Sequence, residues 1–226
     1  METLVSTAIV INHRARSAEQ KALRRHVVIE AAETYFGEVG YEAFSMAQLA
    51  KRSGVAKGTI YLYFKTREDL FLSLYEQSLT RWSHILIGYL SESISSEVYA
   101  ETLYDTALAD GTLLPLLIRL EHIIEHNVEI HSLIRSKRVF IGEVERIAEP
   151  TSTSLKLSQA QAIEIVKTLG VLLITATRVD QGPALDNEEL PIDVQELIAS
   201  FSSKPFFVKN AIRIIECIRT EATSNA

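Results

Sequence analysis

The stretch SMAQLAKRSGVAKGTIYLYFKTREDLF, from Ser45 to Phe71, encodes two short helices around a glycine turn and the opening of a third. Ser45 and Gln48 have capping-box spacing, and Phe44 and Leu49 stand at the positions of a hydrophobic staple. Leu49 and Ala50 are read as facing inward, Gly54 as the left-handed residue that ends the first helix, and Val55 as the anchor of the turn. Helical spacing of apolar residues resumes at Ile60, Tyr63 and Phe64. Thr66, three residues before Asp69, caps the third helix. The result is a helix-turn-helix over about residues 45–64, a corner that many helical proteins also use without touching DNA. The second helix sets this corner apart. It places small, hydroxylated and basic residues beside a core-facing pair, the mixture needed by a helix lying in a DNA groove.

GVAKGTIYLYFKTREDLF resembles the DNA-binding signature of the tetracycline-repressor (TetR) family of bacterial transcription regulators. Upstream, Ile29-Glu30-Ala31-Ala32, Phe36, Gly40-Tyr41 and Phe44-Ser45 are similar to that family's first helix and its exit, so the resemblance spans roughly residues 22–82. It implies an all-α fold: a three-helix N-terminal DNA-binding domain joined by a long helix to a larger helical ligand-binding and dimerisation domain. Residues 1–20 are then expected to be a flexible arm, 21–82 the DNA-binding domain, and 83–226 the regulatory domain. The helix from about Ala56 to Phe64 is expected in the major groove, with Lys57, Gly58, Thr59 and Tyr61 at base edges. Ser45, Tyr63, Lys65 and Arg67 are expected on phosphates, helped by the positive helix ends they border. Ala56 departs from the pattern. Many relatives carry a hydroxyl residue there, so one cap and one phosphate contact are not expected in this chain.

The formal charge of −6 fits a DNA reader only when divided along the chain. From Arg14 to Arg81 there are eleven basic against eight acidic residues, a balance of +3. Residues 82–226 hold twelve basic against twenty acidic residues, a balance of −8 that DNA repels. The single cysteine, Cys217, excludes an internal disulfide framework and suits a reducing cytoplasm. No uninterrupted apolar run approaches the ~18 residues of a membrane span, and no targeting segment is read at the N-terminus.

Beyond the motif, helices are expected at about Arg67–Leu90, Glu97–Ala109, Leu113–Asn127, Ile130–Glu149, Ser158–Val179 and Lys204–Thr220. Pro150 with the following Thr-Ser-Thr-Ser run is read as a loop, as is Gln181–Pro191. The Ser158–Val179 helix is apolar nearly all round and therefore needs cover on every side. The resemblance implies that it and the last helix pair with their copies across a two-fold axis. The expected homodimer interface comprises Ile163, Val166, Gly170, Leu173, Val208, Ala211, Ile212, Ile215 and Ile218.

DNA reading and dimerisation leave the helices between Trp82 and Val179 without a task, which suggests a pocket for an apolar or amphipathic small-molecule effector. Arg119, His122, Ile123, His126, Asn127 and Phe140 are its expected lining. The alternatives are a helical ligand- or protein-binding module without DNA function, and a helical metalloenzyme centred on His122 and His126. EHIIEH lacks the HExxH order, and no GxSxG elbow, glycine-rich phosphate loop or paired CxxC occurs. The expectation is a ligand-responsive repressor that binds double-stranded operator DNA as a homodimer, with neither enzymatic activity nor a cofactor or metal.

Overall fold

The computed structural model describes residues 2–179, 190–200 and 202–224, with side-chain environments for 19–178, 190–196 and 202–221. The elements are α1 (Glu2–Val39), α2 (Met46–Ser53), α3 (Lys57–Tyr63), α4 (Arg67–Tyr89), α5 (Ser96–Ala109) and α6 (Leu113–Arg119). A π-turn (Leu120–Ile124) and a 3-10 turn (Glu125–Asn127) follow. Then come α7 (Ile130–Leu155), α8 (Gln159–Val179), α9 (Ile192–Ser200) and α10 (Ser203–Ser224). The all-α expectation holds for the described residues. The arm expected over residues 1–20 is instead helical from Glu2 and continuous with the first helix of the DNA-binding unit. No proline or glycine precedes Gly37, so nothing local stops that helix.

The N-terminal unit is held by a knot of rings. Phe71 at the start of α4 meets Phe36, Tyr41 and Phe44 at centroid distances of 5.5, 4.8 and 5.0 Å. Such pairs add ~0.5–1.5 kcal/mol each beyond the area they bury. Val28, Ala32, Leu49, Ile60 and Phe64 complete this core. Gly54 takes φ +66, the left-handed end expected of α2. Ser45 occupies the N-cap position, but its side chain makes no cap hydrogen bond, so the capping box does not form. Thr66 does cap α4, its hydroxyl accepting from the Asp69 amide at 3.0 Å.

Helix α4 leads from this unit into the larger half, where Leu74, Leu79, Trp82 and Leu86 are buried. Ile85, also on α4, is 43% exposed and lies along an open groove between α4 and α5. The loop expected at Pro150 is replaced by the last turns of α7. Proline removes one backbone donor there, but tertiary bonds hold the helix. Thr151 pairs with the buried Tyr99 hydroxyl at 3.0 Å, and the Ser154 hydroxyl donates to the Ser91 carbonyl at 2.5 Å. Lys156 then ends the helix with φ 56. The loop expected at Gln181–Pro191 lies largely outside the described residues.

Helix α8 is, among the described residues, long and apolar enough to cross a membrane by composition, with mean hydropathy 1.4 over an 18-residue window within Gln159–Arg178. Glu164, Lys167 and Arg178 interrupt it, and it packs against α6, α7 and α10. That packing corrects the expected dimer surface. Val166, Leu173, Ala211, Ile215 and Ile218 are buried inside the chain itself, because α10 packs against α5 and α8. Ile163, Gly170, Val208 and Ile212 are half-buried. The outward stripe of α8 is Glu164, Lys167, Val171 and Thr175, the last three of which also border the cavity described below.

Candidate nucleic-acid interface and ligand cavity

Helix α3 begins without a side-chain cap at Ala56 and is anchored by Ile60 and Phe64, 0% and 2% exposed. Those anchors turn Lys57, Gly58 and Tyr61 outward, with Thr59 and Tyr63 half-buried at the sides. Lys57 Nζ stands 5.9 Å from the centre of the Tyr61 ring, which tilts both over the same edge. Leu62, which the sequence reading did not single out, is exposed on this helix as well.

Of the residues expected on phosphates, Ser45 is half-buried at the start of α2, while Lys65 is exposed and pairs with Glu129 at the head of α7. Arg67 is turned inward. Its guanidinium lies 4.7 Å from the centre of Tyr41 and 5.4 Å from that of Phe71, and its Nε donates to Glu68 at 3.1 Å. A planar cation stacked on two rings and bound to a carboxylate is a packing element.

The larger half holds a cavity of about 360 Å³, open to solvent at its rim, between α4, the α6 to 3-10 segment, α7 and α8. Its walls are mainly apolar: Leu79, Trp82, Leu117, Ile118, Phe140, Val144, Ile147 and Ile174. Val166, Gly170 and Leu173, expected at the dimer surface, line it too. Of the residues expected to line an effector pocket, His122 and Phe140 border this cavity. Arg119, Ile123, His126 and Asn127 are not among the lining residues. The cause is the π-turn, in which the Glu125 amide bonds the Leu120 carbonyl and one extra residue is taken into the helix. Arg119 lies 5.1 Å from the Tyr41 ring centre and 3.6 Å from Glu42, against the DNA-binding unit. Asn127 turns back to donate to the Ile123 carbonyl at 2.7 Å.

Two of the cavity's three carboxylates are paired, and Glu121, Lys167 and Arg178 also border it. Glu143 accepts from Thr80 at 2.7 Å and pairs with Arg146 at 2.5 Å. Glu125 pairs with Lys137 at 2.6 Å. Burial, followed by the nearby Glu125 and Glu76 carboxylates, pushes the Tyr75 phenol far above its ordinary value, so it remains a neutral donor. Among the described residues no group of three His, Cys, Asp or Glu side chains could hold a metal ion.

Several bonds join the cavity wall to the DNA-binding unit. The Thr66 hydroxyl donates to the Asn127 carbonyl at 3.2 Å, next to the Lys65–Glu129 pair. On the opposite side Arg81 of α4 bridges Glu33 of α1 at 2.6 Å and Asp110 at 2.7 Å. Burial raises the Asp110 carboxyl, but hydrogen bonds from Ser78, Arg81 and the amides of Thr112 and Leu113 outweigh it and hold the group below the usual range.

Comparison with known proteins follows the same division. Residues 28–74 match the family described as bacterial regulatory proteins, tetR family, and residues 75–181 match the tetracyclin repressor-like C-terminal domain. The fatty acid metabolism regulator protein of Bacillus subtilis (strain 168) is 41% identical over 83 residues, 37% of this chain and 41% of its own. The chain thus spans about two fifths of that relative's length. A TetR transcriptional regulator from Rhodococcus sp. RHA1 shares the fold with a TM-score of 0.55 and 16% identity, over 87% of this chain and 96% of that one. The transcriptional regulator FadR of Bacillus subtilis, solved with stearoyl-CoA, aligns with a TM-score of 0.50 and 16% identity, covering 85% and 96%. With both halves matched in order along one chain, this protein belongs to the tetracycline-repressor family of bacterial regulatory proteins.

Proposed function

We propose that the protein is a dimeric, cytoplasmic transcriptional repressor whose hold on operator DNA is set by a small molecule in the α4–α8 cavity. The observation that carries this is the physical connection between the cavity wall and the exit of α3. The segment 120–127 lines the cavity through Leu120, Glu121, His122 and Glu125, and its last carbonyl is bound by Thr66, two residues after Phe64. A ligand that prefers a different position of this segment draws Lys65 and Thr66 with it. In a dimer that movement changes the spacing of two α3 helices, which must match about one DNA turn, ~34–36 Å. The ligand shifts the equilibrium only by its differential affinity, for which ~1–3 kcal/mol is the usual coupling.

Walls that are mainly apolar favour an apolar or amphipathic effector. Long-chain acyl-coenzyme A thioesters, the class of ligand bound by the Bacillus subtilis FadR, are the first probes. The test is to map genomic binding sites, then titrate a bound duplex with stearoyl-CoA and the free acid. Release of DNA, with a matching loss of ligand affinity when DNA is present, supports the reading. Tight ligand binding that is equal with and without DNA defeats the regulatory half of it. No enzymatic role is assigned.

A further inference from the structure

We infer that Leu62 reads the 5-methyl group of one thymine in each half-site, an inference that rests on the DNA-binding reading above. Leu62 is 78% exposed, the most exposed large apolar side chain among the described residues. It sits two positions from each core anchor, Ile60 and Phe64, and so about 200° around the helix from both. It therefore points directly away from the domain. One turn earlier on the same face is Gly58, where no atom lies within 4 Å of the place a Cβ would occupy. Helical side chains lean toward the N-terminus, so Leu62 projects on the same side as Gly58, where the space a side chain would fill is open. The outward face of α3 is thus an apolar tip flanked by Lys57 and Tyr61 on one edge and Thr59 on the other.

A leucine left in water at the centre of a polar face gains only when it meets an apolar surface. In the major groove the base edges offer donors, acceptors and one apolar group, the thymine methyl. Lys57 and Lys65 on either side suit a polyanion better than a protein partner.

The experiment uses the full chain. Duplexes are selected from a random-sequence pool, and each thymine of the selected site is then replaced by uracil, which removes only the methyl. Wild type should weaken about fourfold for one substituted half-site and about fifteenfold for both, the loss of one buried methyl each time. Leu62→Ala should bind thymine and uracil duplexes alike at that step, with an unchanged salt slope. Indifference of wild type to every thymine replacement overturns the assignment, as does methyl sensitivity that survives in Leu62→Ala. Failure to select any duplex overturns the DNA-binding reading itself, and the two failures are thereby distinct.

Discussion

Thr66 hydrogen-bonds in two directions, accepting from the Asp69 amide at 3.0 Å and donating to the Asn127 carbonyl at 3.2 Å. One hydroxyl therefore starts α4 and fastens the cavity wall to the exit of α3. Thr66→Val should lose ~1 kcal/mol of stability, the usual cost of a deleted N-cap, while Thr66→Ser loses less. Urea midpoints at constant slope are the measurement. The valine variant should also show weaker coupling between ligand and DNA.

Lys65 and Arg67 lie two residues apart and should behave differently on DNA. Lys65→Ala should lower the salt slope of binding by about one per subunit, since an exposed ammonium is free to exchange Glu129 for a phosphate. Arg67→Ala should chiefly reduce stability, because its guanidinium stacks on Tyr41 and Phe71. Titrations across a salt series, paired with thermal melts, separate the two. An equal drop in salt slope for both variants would place Arg67 among the phosphate contacts.

The acid limb of stability should depend on Asp110. Its carboxyl titrates below its ordinary value in the fold, so its contribution is present above the unfolded pKa of about 3.9 and disappears as pH falls through the folded value. Asp110→Asn should be less stable at pH 7 and should lose less between pH 5 and pH 3 than wild type. Parallel stability curves for the two proteins would remove Asp110 from this role.

Dimerisation is best probed on the outward stripe of α8. Val171 is 66% exposed in the chain, and Val171→Asp should give folded monomers that bind operator weakly. Ile215→Asp buries a charge at a position that is 0% exposed and should unfold the domain instead. Sedimentation and circular dichroism together read both outcomes. A dimer of unchanged strength in Val171→Asp would move the interface elsewhere.

Filling the cavity should silence the effector without harming DNA binding. Val144→Phe adds volume to the wall between Phe140 and Ile147. It should abolish stearoyl-CoA or fatty-acid response while leaving ligand-free operator affinity within about twofold, since overpacking of ~1–3 kcal/mol is relieved by the empty space. Calorimetry on the variant measures the first effect and gel shift the second.

Helix α3 was legible because its signals are local: Gly54, Thr66 and the Ile60–Phe64 spacing need no knowledge of distant residues. The cavity was half legible. His122 and Phe140 follow from composition and helical register, but the π-turn after Arg119 inserts a residue that only packing against α4 and α8 decides. Ile123, His126 and Asn127, reckoned on a straight α-helix, therefore lost their place. The α8 and α10 apolar faces announced that they are covered, not by what. For Ala211 and Ile215 the cover is the chain's own core. Pro150 misled for the same reason, since Tyr99 and Ser91, far away in sequence, hold its helix.

The two family matches meet between residues 74 and 75, in the interior of α4. That seam is a boundary of ancestry and not of material. Trp82, only two turns further on, donates its indole N–H to Thr106 at 3.1 Å, and Arg81 beside it is shared by Glu33 and Asp110. A fragment cut after residue 82 would leave Leu74, Leu79 and Trp82 bare on a helix stripped of its neighbours. The DNA-reading unit is therefore not transplantable as it stands. A fusion that borrows its specificity must bring α5 and α7 along, or replace those apolar residues of α4 with polar ones.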